Sequence, residues 1–290
     1  MGATGLGPDG DLLLPALERA GVTGRPVGWG TSLDAAEWDG AVIRTATDYV
    51  DDPRRFLDWC AETARRIPLA NPPDVLAWNS DKRYLRDLAE AGIATVPTLW
   101  LGPGEALDHV PWGRFVVKPA ISAGGRSSAS YEAPDLGAAQ RHVAAITAAG
   151  GVAMVQPHLR SIDGEGEVGV YVIGGEITHA ITKTGILRPG TPPPDDFSLA
   201  RGQQSKPSPV GAGHAGFART VLREVPGGPE RVLYARVDVA RGDAGDLLLL
   251  ELECIEPRLF LEHAPARADA VAAAFAAWME RRGEAGPAHP

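Results

Sequence analysis

The sequence predicts an α/β fold, and the first observation behind this prediction is the order of elements near the N-terminus. Strand-like runs alternate there with amphipathic stretches, which is typical of a small parallel sheet whose strands are joined by helices. Residues 1–10 are predicted to form a glycine-rich loop, so no strand precedes the first helix. The predicted elements are helix 11–20, strand 25–29, strand 40–44 and helix 53–66.

The second observation is a series of strands that short turns pair along the rest of the chain. Gly174-Gly175 separates two strand-like runs and the polar turn 241–246 separates two more, which indicates antiparallel hairpins. Asn71-Pro-Pro73 marks a boundary before them, and residues 188–215, rich in Pro, Gly and Ser, are predicted to form a long, partly mobile loop. The predicted elements are helix 81–91 with Asn79 or Ser80 as its cap, strand 111–120, helix 134–149, strands 153–157, 168–173 and 176–183, and helix 267–282.

Composition limits the class of protein. The chain has 290 residues, of which 44% are hydrophobic and 22% charged, as in an ordinary globular protein. A net charge of −9 and the lack of a basic patch argue against a nucleic-acid partner. No apolar run reaches membrane-spanning length and no signal-peptide pattern opens the chain, so a cytoplasmic protein without membrane partners is expected. Cys60 and Cys254 lie far apart, which supports neither a zinc site nor a disulfide framework.

The most informative segment is the hairpin predicted near the C-terminus. Alternation along a strand places Arg236 and Asp238 on one face, and places Glu251 and Glu253 on one face. Counting back from the turn puts Asp238 nearly opposite Glu251. Carboxylates gathered beside apolar strands would repel one another, and a hard divalent cation such as Mg²⁺ removes that penalty. A solvated acidic hairpin face is the alternative interpretation.

A second candidate is the lysine that precedes a glycine- and serine-rich loop. Lys118 ends a predicted strand, and the loop 122–128 follows with backbone N–H groups that can approach phosphates. The segment is not a Walker A motif, because no Gly-Lys-Ser/Thr opens a helix. A flexible surface loop after an edge strand is the alternative.

Two further segments carry little weight when each is taken alone. Lys82 is predicted in the first turn of a helix, where a solvated surface lysine is the common case. His158 follows a strand and more often would be a satisfied polar residue than a catalyst. We find neither a Ser/His/Asp or Cys/His set nor histidines at metal-ligand spacing.

Taken in order, these pieces resemble the ATP-grasp superfamily over about residues 79–261. The resemblance is carried by Trp78-Asn-Ser-Asp-Lys-Arg-Tyr-Leu85, by Val117-Lys-Pro-Ala-Ile-Ser-Ala-Gly-Gly-Arg126, and by Tyr234-Ala-Arg-Val-Asp238 with Glu251-Leu-Glu253 and Glu256-Pro257. It looks closest to the glutathione-synthetase and ribosomal-protein-modification type, and within it to the O-ureido-D-serine cyclo-ligase family of cycloserine biosynthesis. The implied fold is an ATP-grasp fold with a small N-terminal pre-ATP-grasp α/β lobe. The expected divisions are 1–75, 76–157 with the phosphate loop, and 158–290 with the metal site.

The resemblance also implies a role for each matching residue. ATP and Mg²⁺, in two ions, are the expected cofactors, and ADP is the expected product of C–N ligation through an acyl phosphate. Arg236 is the expected catalytic residue, which stabilises the acyl phosphate or the oxyanion that follows it. The expected metal ligands are Asp238, Glu251 and Glu253, although many relatives have Asn in place of Glu253. The expected nucleotide contacts are Lys82 and Lys118 with the phosphates, the loop residues Ser122, Gly124, Gly125, Ser127 and Ser128, the adenine hinge Gln156, His158 and Leu159, Glu167 with the ribose, and Lys183 with phosphate or substrate.

The substrate side departs from the family pattern. Residues 44–49 keep the Asp and Tyr of a Trp-Asp-Tyr triplet found in close relatives, as Asp48 and Tyr49, but lack its Trp. The region 184–215 also differs in composition, and Arg201 within it is a candidate substrate contact. The leading hypothesis is a ligase for a small amino-acid-like substrate, acting by ring closure in antibiotic biosynthesis. Intermolecular amide formation, modification of a peptide or protein terminus, and ATP binding without catalysis remain alternatives. A homodimer is compatible with the resemblance, although the sequence identifies no interface.

Overall fold

The described part of the chain is a mixed arrangement of helices and three sheets. A computed structural model describes residues 6–185, 187–196 and 203–284. The helices are α1 (Gly7–Arg19), α2 (Pro53–Arg66), α3 (Pro73–Asn79), α4 (Tyr84–Glu90), α5 (Leu136–Ala148), α6 (Arg160–Gly164), α7 (Ala212–Arg223) and α8 (Ala268–Glu284). The strands are β1 (Ala41–Val42), β2 (Leu69–Ala70), β3 (Leu99–Leu101), β4 (Arg114–Pro119), β5 (Ala129–Glu132), β6 (Ala153–Pro157), β7 (Glu167–Ile173), β8 (Glu176–Thr184), β9 (Gln204–Ser208), β10 (Tyr234–Arg241) and β11 (Leu247–Glu253).

The N-terminal part contains the predicted parallel sheet, reduced to the two strands β1 and β2. Two expectations here are wrong. Helix α1 begins at Gly7, within the predicted loop, because Pro8 and Asp9 suit the first turn of a helix. Residues 25–29 form no strand. The partner of β1 is residues 69–70, while the Arg25 guanidinium stacks 4.2 Å from the Trp38 ring.

The acidic hairpin lies at one edge of a five-stranded antiparallel sheet with the order β11-β10-β7-β8-β9. The predicted turn at Gly174-Gly175 joins β7 to β8, and both glycines have the positive φ that such a turn requires. One face of this sheet packs against α3, α4 and α7, and the other face packs against α1 and α8. Helices on both faces exclude water from the centre of the sheet.

A four-stranded antiparallel sheet of order β3-β6-β4-β5 carries the lysine and the glycine-rich loop. Helix α5 covers one face through Val143 and Ile146, which pack on Phe115 and Val155. Strands β3 and β5 were not predicted, since each has only three or four residues. The uncovered face of this sheet is turned toward the five-stranded sheet, where Lys118 lies.

The segment 188–215 is not a loop throughout. Strand β9 pairs with β8, with Lys183 opposite Ser205, and α7 begins at Ala212. Composition alone suggested a loop, because Pro207 and the glycines interrupt any regular spacing of apolar residues. Pro207 is tolerated because β9 is an edge strand. The candidate substrate contact Arg201 lies outside the described residues.

The predicted boundary at Asn71-Pro-Pro73 is also the start of a helix. Pro73 is the first residue of α3, where the missing N–H of proline is not needed. The predicted helix 81–91 is shorter, since α4 begins at Tyr84. Neither Asn79 nor Ser80 caps α4, and Lys82 lies in the turn between α3 and α4 rather than in a helix. Across the described ranges, no helix is both long and apolar enough to cross a membrane.

Candidate active site

The acidic hairpin has the predicted register. Strand β10 pairs with β11 so that Asp238 lies opposite Glu251 and Arg236 lies opposite Glu253. Asp238, Glu251 and Glu253 each offer a carboxylate oxygen, and these oxygens lie within 4.8 Å of one another. Oxygen ligands gathered in this way fit a hard divalent cation such as Mg²⁺.

Basic side chains alternate with these carboxylates across the sheet. The Arg236 Nε and Nη2 donate to Oδ1 and Oδ2 of Asp238, at 2.8 Å each, and Nη2 also contacts Glu253. The Lys183 ammonium lies 3.0 Å from Asp238 and 2.6 Å from Glu167. All five side chains belong to β7, β8, β10 and β11, so backbone pairing holds them in place.

Burial and the alternating charges shift the pKa values of Asp238 and Glu253 in opposite directions. Burial disfavours the charged form of Asp238, but Arg236 and Lys183 outweigh it and lower its pKa to about 2. Burial raises the pKa of Glu253 to about 7, with Glu251 and Asp238 adding to the increase against Arg236. Burial lowers the pKa of Lys183, but Asp238 and Glu167 reverse this, so its pKa is raised overall. The surroundings therefore favour the charged form of Asp238 and the protonated form of Glu253.

Lys82 joins the glycine-rich loop to the acidic hairpin. Its ammonium donates to the carbonyl oxygen of Ser122 at 2.5 Å and to the Ser122 hydroxyl at 3.1 Å, and it lies 3.2 Å from Glu251. The backbone N–H of Lys82 donates to Ala120. The residue is 5% exposed. The structure therefore excludes the solvated surface lysine that its sequence context alone favoured.

Lys118 approaches the same place from the four-stranded sheet. Burial lowers its pKa, and the nearby charges are Glu251, Lys82, Glu167 and Asp238. The two lysines and the acidic hairpin thus face each other between the two sheets.

The loop 122–128 takes a conformation that its glycines permit. Gly124 and Gly125 have φ values of 57° and 75°, and Ser127 has a φ of 53°, which is uncommon for a residue with a side chain. The Ser127 N–H donates to the Pro194 carbonyl at 2.7 Å, and Arg126 forms an ion pair with Asp51. Ser122 and Ser128 are both buried. The loop therefore lies under residues 189–196 and against the N-terminal part of the chain.

The expected adenine hinge follows strand β6. The Gln156 amide donates to the Thr98 hydroxyl at 2.9 Å, and Leu159 packs with Val96 and Ala240. The His158 ring bonds through Nε2 to Asp163 at 3.0 Å. These contacts hold Gln156, His158 and Leu159 in place.

Three side chains for which the sequence predicted no contact with β11 hold the outer edge of that strand. The Asn79 amide donates to the Leu252 carbonyl at 2.8 Å and accepts from the Cys254 N–H at 2.7 Å. The Tyr84 hydroxyl also bonds to the Leu252 backbone, and Asn71 donates to the Cys254 carbonyl at 2.7 Å. An edge strand otherwise leaves such groups unpaired. No signal in the sequence connects these residues to a strand more than 150 positions away.

Gly169 is a fourth residue that sequence reasoning missed. It pairs with Asp238 across β7 and β10, and a Cβ at this position would lie 2.8 Å from Asp238 Oδ1 and 3.0 Å from Arg236 Cδ. The lack of a side chain leaves room for the Arg236–Asp238 pair. A glycine inside a strand is the signal that could have found it, since such a glycine often marks a close approach.

Two antiparallel sheets that bring lysines and a carboxylate hairpin together in this chain order are characteristic of the ATP-grasp ligases, which form C–N bonds and release ADP. The crystal structure of D-cycloserine synthetase DcsG superposes with a TM-score of 0.81 at 27% identity, covering 93% of this chain and 95% of that chain. ATP-grasp ligase PsnB, at 16% identity, and D-alanine–D-alanine ligase from Bacillus anthracis, at 15%, both give a TM-score of 0.62. The PsnB match covers 94% of both chains, and the D-alanine–D-alanine ligase match covers 96% of this chain and 93% of that one. These two share the fold.

Sequence comparison leads to the same group. The family described as D-cycloserine synthetase DcsG, N-terminal domain, matches residues 3–71. The cycloserine biosynthesis protein DcsG of Streptomyces lavendulae is 33% identical in an alignment of 266 residues that covers 86% of this chain and 86% of that protein. The chain belongs to the DcsG family of ATP-grasp ligases. The predicted fold class, family and enzyme class are confirmed.

Proposed function

We propose that this carboxylate–amine ligase uses ATP and Mg²⁺ to activate a small amino-acid-like substrate as an acyl phosphate, and then closes a ring within it. The observation that carries the proposal is the position of Lys82, which contacts both the glycine-rich loop and Glu251. A single buried ammonium thus connects the expected phosphate site with the expected metal site. The ring-closing part of the proposal is supported by the similarity to D-cycloserine synthetase DcsG.

The proposed reaction has two steps. An oxygen of the substrate carboxylate attacks the γ-phosphorus of ATP, the bond to the β-phosphate oxygen breaks, and ADP leaves. A nitrogen of the same substrate then attacks the acyl carbon, loses its proton, and expels inorganic phosphate. We assign the nucleotide phosphates to Lys82, Lys118 and the loop 122–128, whose N–H groups suit phosphate oxygens.

The roles at the hairpin follow from charge and geometry. Asp238, Glu251 and Glu253 would hold Mg²⁺, which when bound neutralises charge on the β- and γ-phosphates. Arg236 presents a planar set of donors beside these ligands, suited to the oxygen of the acyl group as it gains negative charge. Lys183 fixes Asp238 and Glu167 in place, and Glu167 is our candidate for the ribose hydroxyls. The hinge Gln156–Leu159, the lobe divisions near residues 75 and 157, and the number of ions stay predictions.

ADP release in the presence of Mg²⁺ tests the proposal. O-substituted serine derivatives, O-ureido-D-serine among them, and other amino acids are supplied singly and in pairs, with the Glu251→Gln protein as the blank. Release with one compound alone, with a cyclic product, is the expected result. Release that needs two compounds would replace ring closure with intermolecular amide formation. Tight Mg-ATP binding without ADP release from any compound would overturn the proposal.

A further inference from the structure

Glu256 differs from the four acidic side chains of the charged cluster beside it. Asp238 and Glu253 pair with Arg236, Glu251 pairs with Lys82, and Glu167 pairs with Lys183. Glu256 has neither a hydrogen-bond nor an ion-pair partner within residues 6–185, 187–196 and 203–284. Its side chain is only partly exposed. An unpaired, largely desolvated carboxylate is unfavourable unless a ligand completes it.

The backbone around Glu256 is held rigidly. The buried Tyr234 hydroxyl donates to the Ile255 carbonyl at 2.9 Å, and Arg44 Nη2 donates to the Pro257 carbonyl at 2.5 Å. The Leu259 N–H donates to Asp9 at 2.6 Å. The main chain that carries Glu256 is therefore fixed, and only rotation of its side chain can move the carboxylate.

Tyr49 supplies a second, independent unpartnered group at this place. It is 4% exposed, and its ring packs in one apolar cluster with Ala123 of the glycine-rich loop and Ile255, the neighbour of Glu256. Its hydroxyl bonds to no other residue in the described part of the chain. Burial raises its pKa well above the ordinary value, and Glu256 is the charge that adds most to the increase. The phenol is therefore neutral, and its packing with Ile255 places it near the chain segment that carries Glu256.

The missing partner is a cation. Burial, followed by the charge of Glu253, raises the pKa of Glu256 to about 8, so that a positive group would relieve the site. The metal-binding set does not include Glu256, because among the described residues only Asp238, Glu251 and Glu253 bring their oxygens within 4.8 Å of one another. A carboxylate and a phenolic oxygen are together suited to the N–H donors of an ammonium group.

We propose that Glu256 and Tyr49 bind the α-ammonium group of the amino-acid substrate, an inference that rests on the proposed function. The α-ammonium is attached to the carbon next to the carboxyl carbon, so its anchor must adjoin the place where that carboxylate is activated. Glu256 meets this condition, because it lies three residues after the proposed metal ligand Glu253. The pair would make the enzyme select α-amino acids over other carboxylic acids.

A comparison of two substrates tests the proposal. O-ureido-D-serine and its analogue without the α-amino group are compared for kcat/KM, and for binding by calorimetry in the presence of Mg²⁺ and a non-hydrolysable ATP analogue. The wild type should prefer the amino compound by about 10- to 100-fold. Glu256→Gln should abolish this preference, and Tyr49→Phe should reduce it by about 3- to 10-fold. The Mg-ATP affinity should not change, which shows that both variants fold. Glu224→Gln, a charge loss on an exposed residue, is the control.

Each other outcome is decisive. The proposal would be overturned if Glu256→Gln kept the full preference for the amino compound. It would also be overturned if Glu256→Gln responded more weakly to Mg²⁺ and kept that preference. If the wild type binds both compounds equally yet releases ADP, the ammonium site is wrong and the ligase function stands. If it binds the amino compound selectively without releasing ADP, the ammonium site stands and the ligase function is wrong. No binding of any amino acid would overturn both.

Discussion

Arg236 and Asp238, two residues apart on the same face of one strand, form a two-point ion pair in which Nε and Nη2 each donate at 2.8 Å. Both side chains are buried, and Gly169 on the neighbouring strand leaves the space that they occupy. The pair fixes the orientation of a proposed metal ligand and of the proposed oxyanion donor at once.

Replacing Arg236 with Lys should leave ATP binding intact and slow acyl transfer by about 10²–10³-fold, because an ammonium cannot offer the planar pair of donors. Nucleotide affinity is measured by titration and turnover by ADP release. Weaker ATP binding with an unchanged kcat would contradict the role proposed for Arg236.

Replacing Glu251 with Gln should abolish ADP release while the fold is retained, because the metal set loses one of its three carboxylates. Circular dichroism reports the fold, and a titration with Mg²⁺ reports the site. The exposed Glu224→Gln change should alter neither. Full turnover in Glu251→Gln would remove the metal assignment.

Replacing Gly169 with Ala should reduce turnover by at least about 10-fold, because the new methyl group would lie 2.8 Å from Asp238 Oδ1 and displace that carboxylate. Gly213→Ala is the matched control, since a Cβ on that helical glycine meets nothing within 4 Å. Kinetics and thermal unfolding of both variants are compared. Equal activity of the two variants would show that Asp238 tolerates the displacement.

Replacing Asn79 with Ala should lower the free energy of unfolding by about 1–3 kcal/mol, since it leaves the buried Cys254 N–H without its partner, while the Leu252 carbonyl keeps its bond to the Tyr84 hydroxyl. Ser80→Ala removes only a local bond to the Ala77 carbonyl and should cost about 1 kcal/mol or less. Urea unfolding measures both. Similar losses in the two variants would argue against a special role for the edge of β11.

Mg²⁺ binding should weaken as the pH falls from 8 to 6, by up to about 10-fold per pH unit below the Glu253 pKa. That pKa is about 7, so a bound proton competes with the metal ion.

In the metal-free protein, the folded state holds this proton while the unfolded chain, with a pKa of 4.5, has lost it. The free energy of unfolding should therefore fall as the pH rises from about 4.5 to about 7.

Calorimetry in two buffers of different ionisation heat measures the proton that Mg²⁺ displaces. Glu253→Gln should abolish the proton release. Equal heats for the wild type in both buffers near pH 6.5 would contradict the assignment.

Local patterns in the sequence were sufficient for much of the fold and for the members of the hairpin. Helix α2 and strand β6 have the predicted bounds, and the turn at 241–246 joins β10 to β11 as predicted, although a register shift between Asp238 and Val239 is what places Asp238 opposite Glu251. These features depend on neighbours within a few residues, because alternation and turn chemistry act along the chain. The ordered motifs identified the family for the same reason.

Packing between distant segments decided the rest. Only the tertiary structure brings Asn79 to Leu252, Lys82 to Ser122 and Glu251, and Tyr49 into the cluster beside Glu256, since no periodicity links positions so far apart. Residues 25–29 have a strand-like composition and yet form no strand, because β1 pairs with residues 69–70 instead. The sequence by itself determined which residues share a strand face. The tertiary structure decided which charges are paired, which are buried, and that Glu256 has no partner in the described part of the chain.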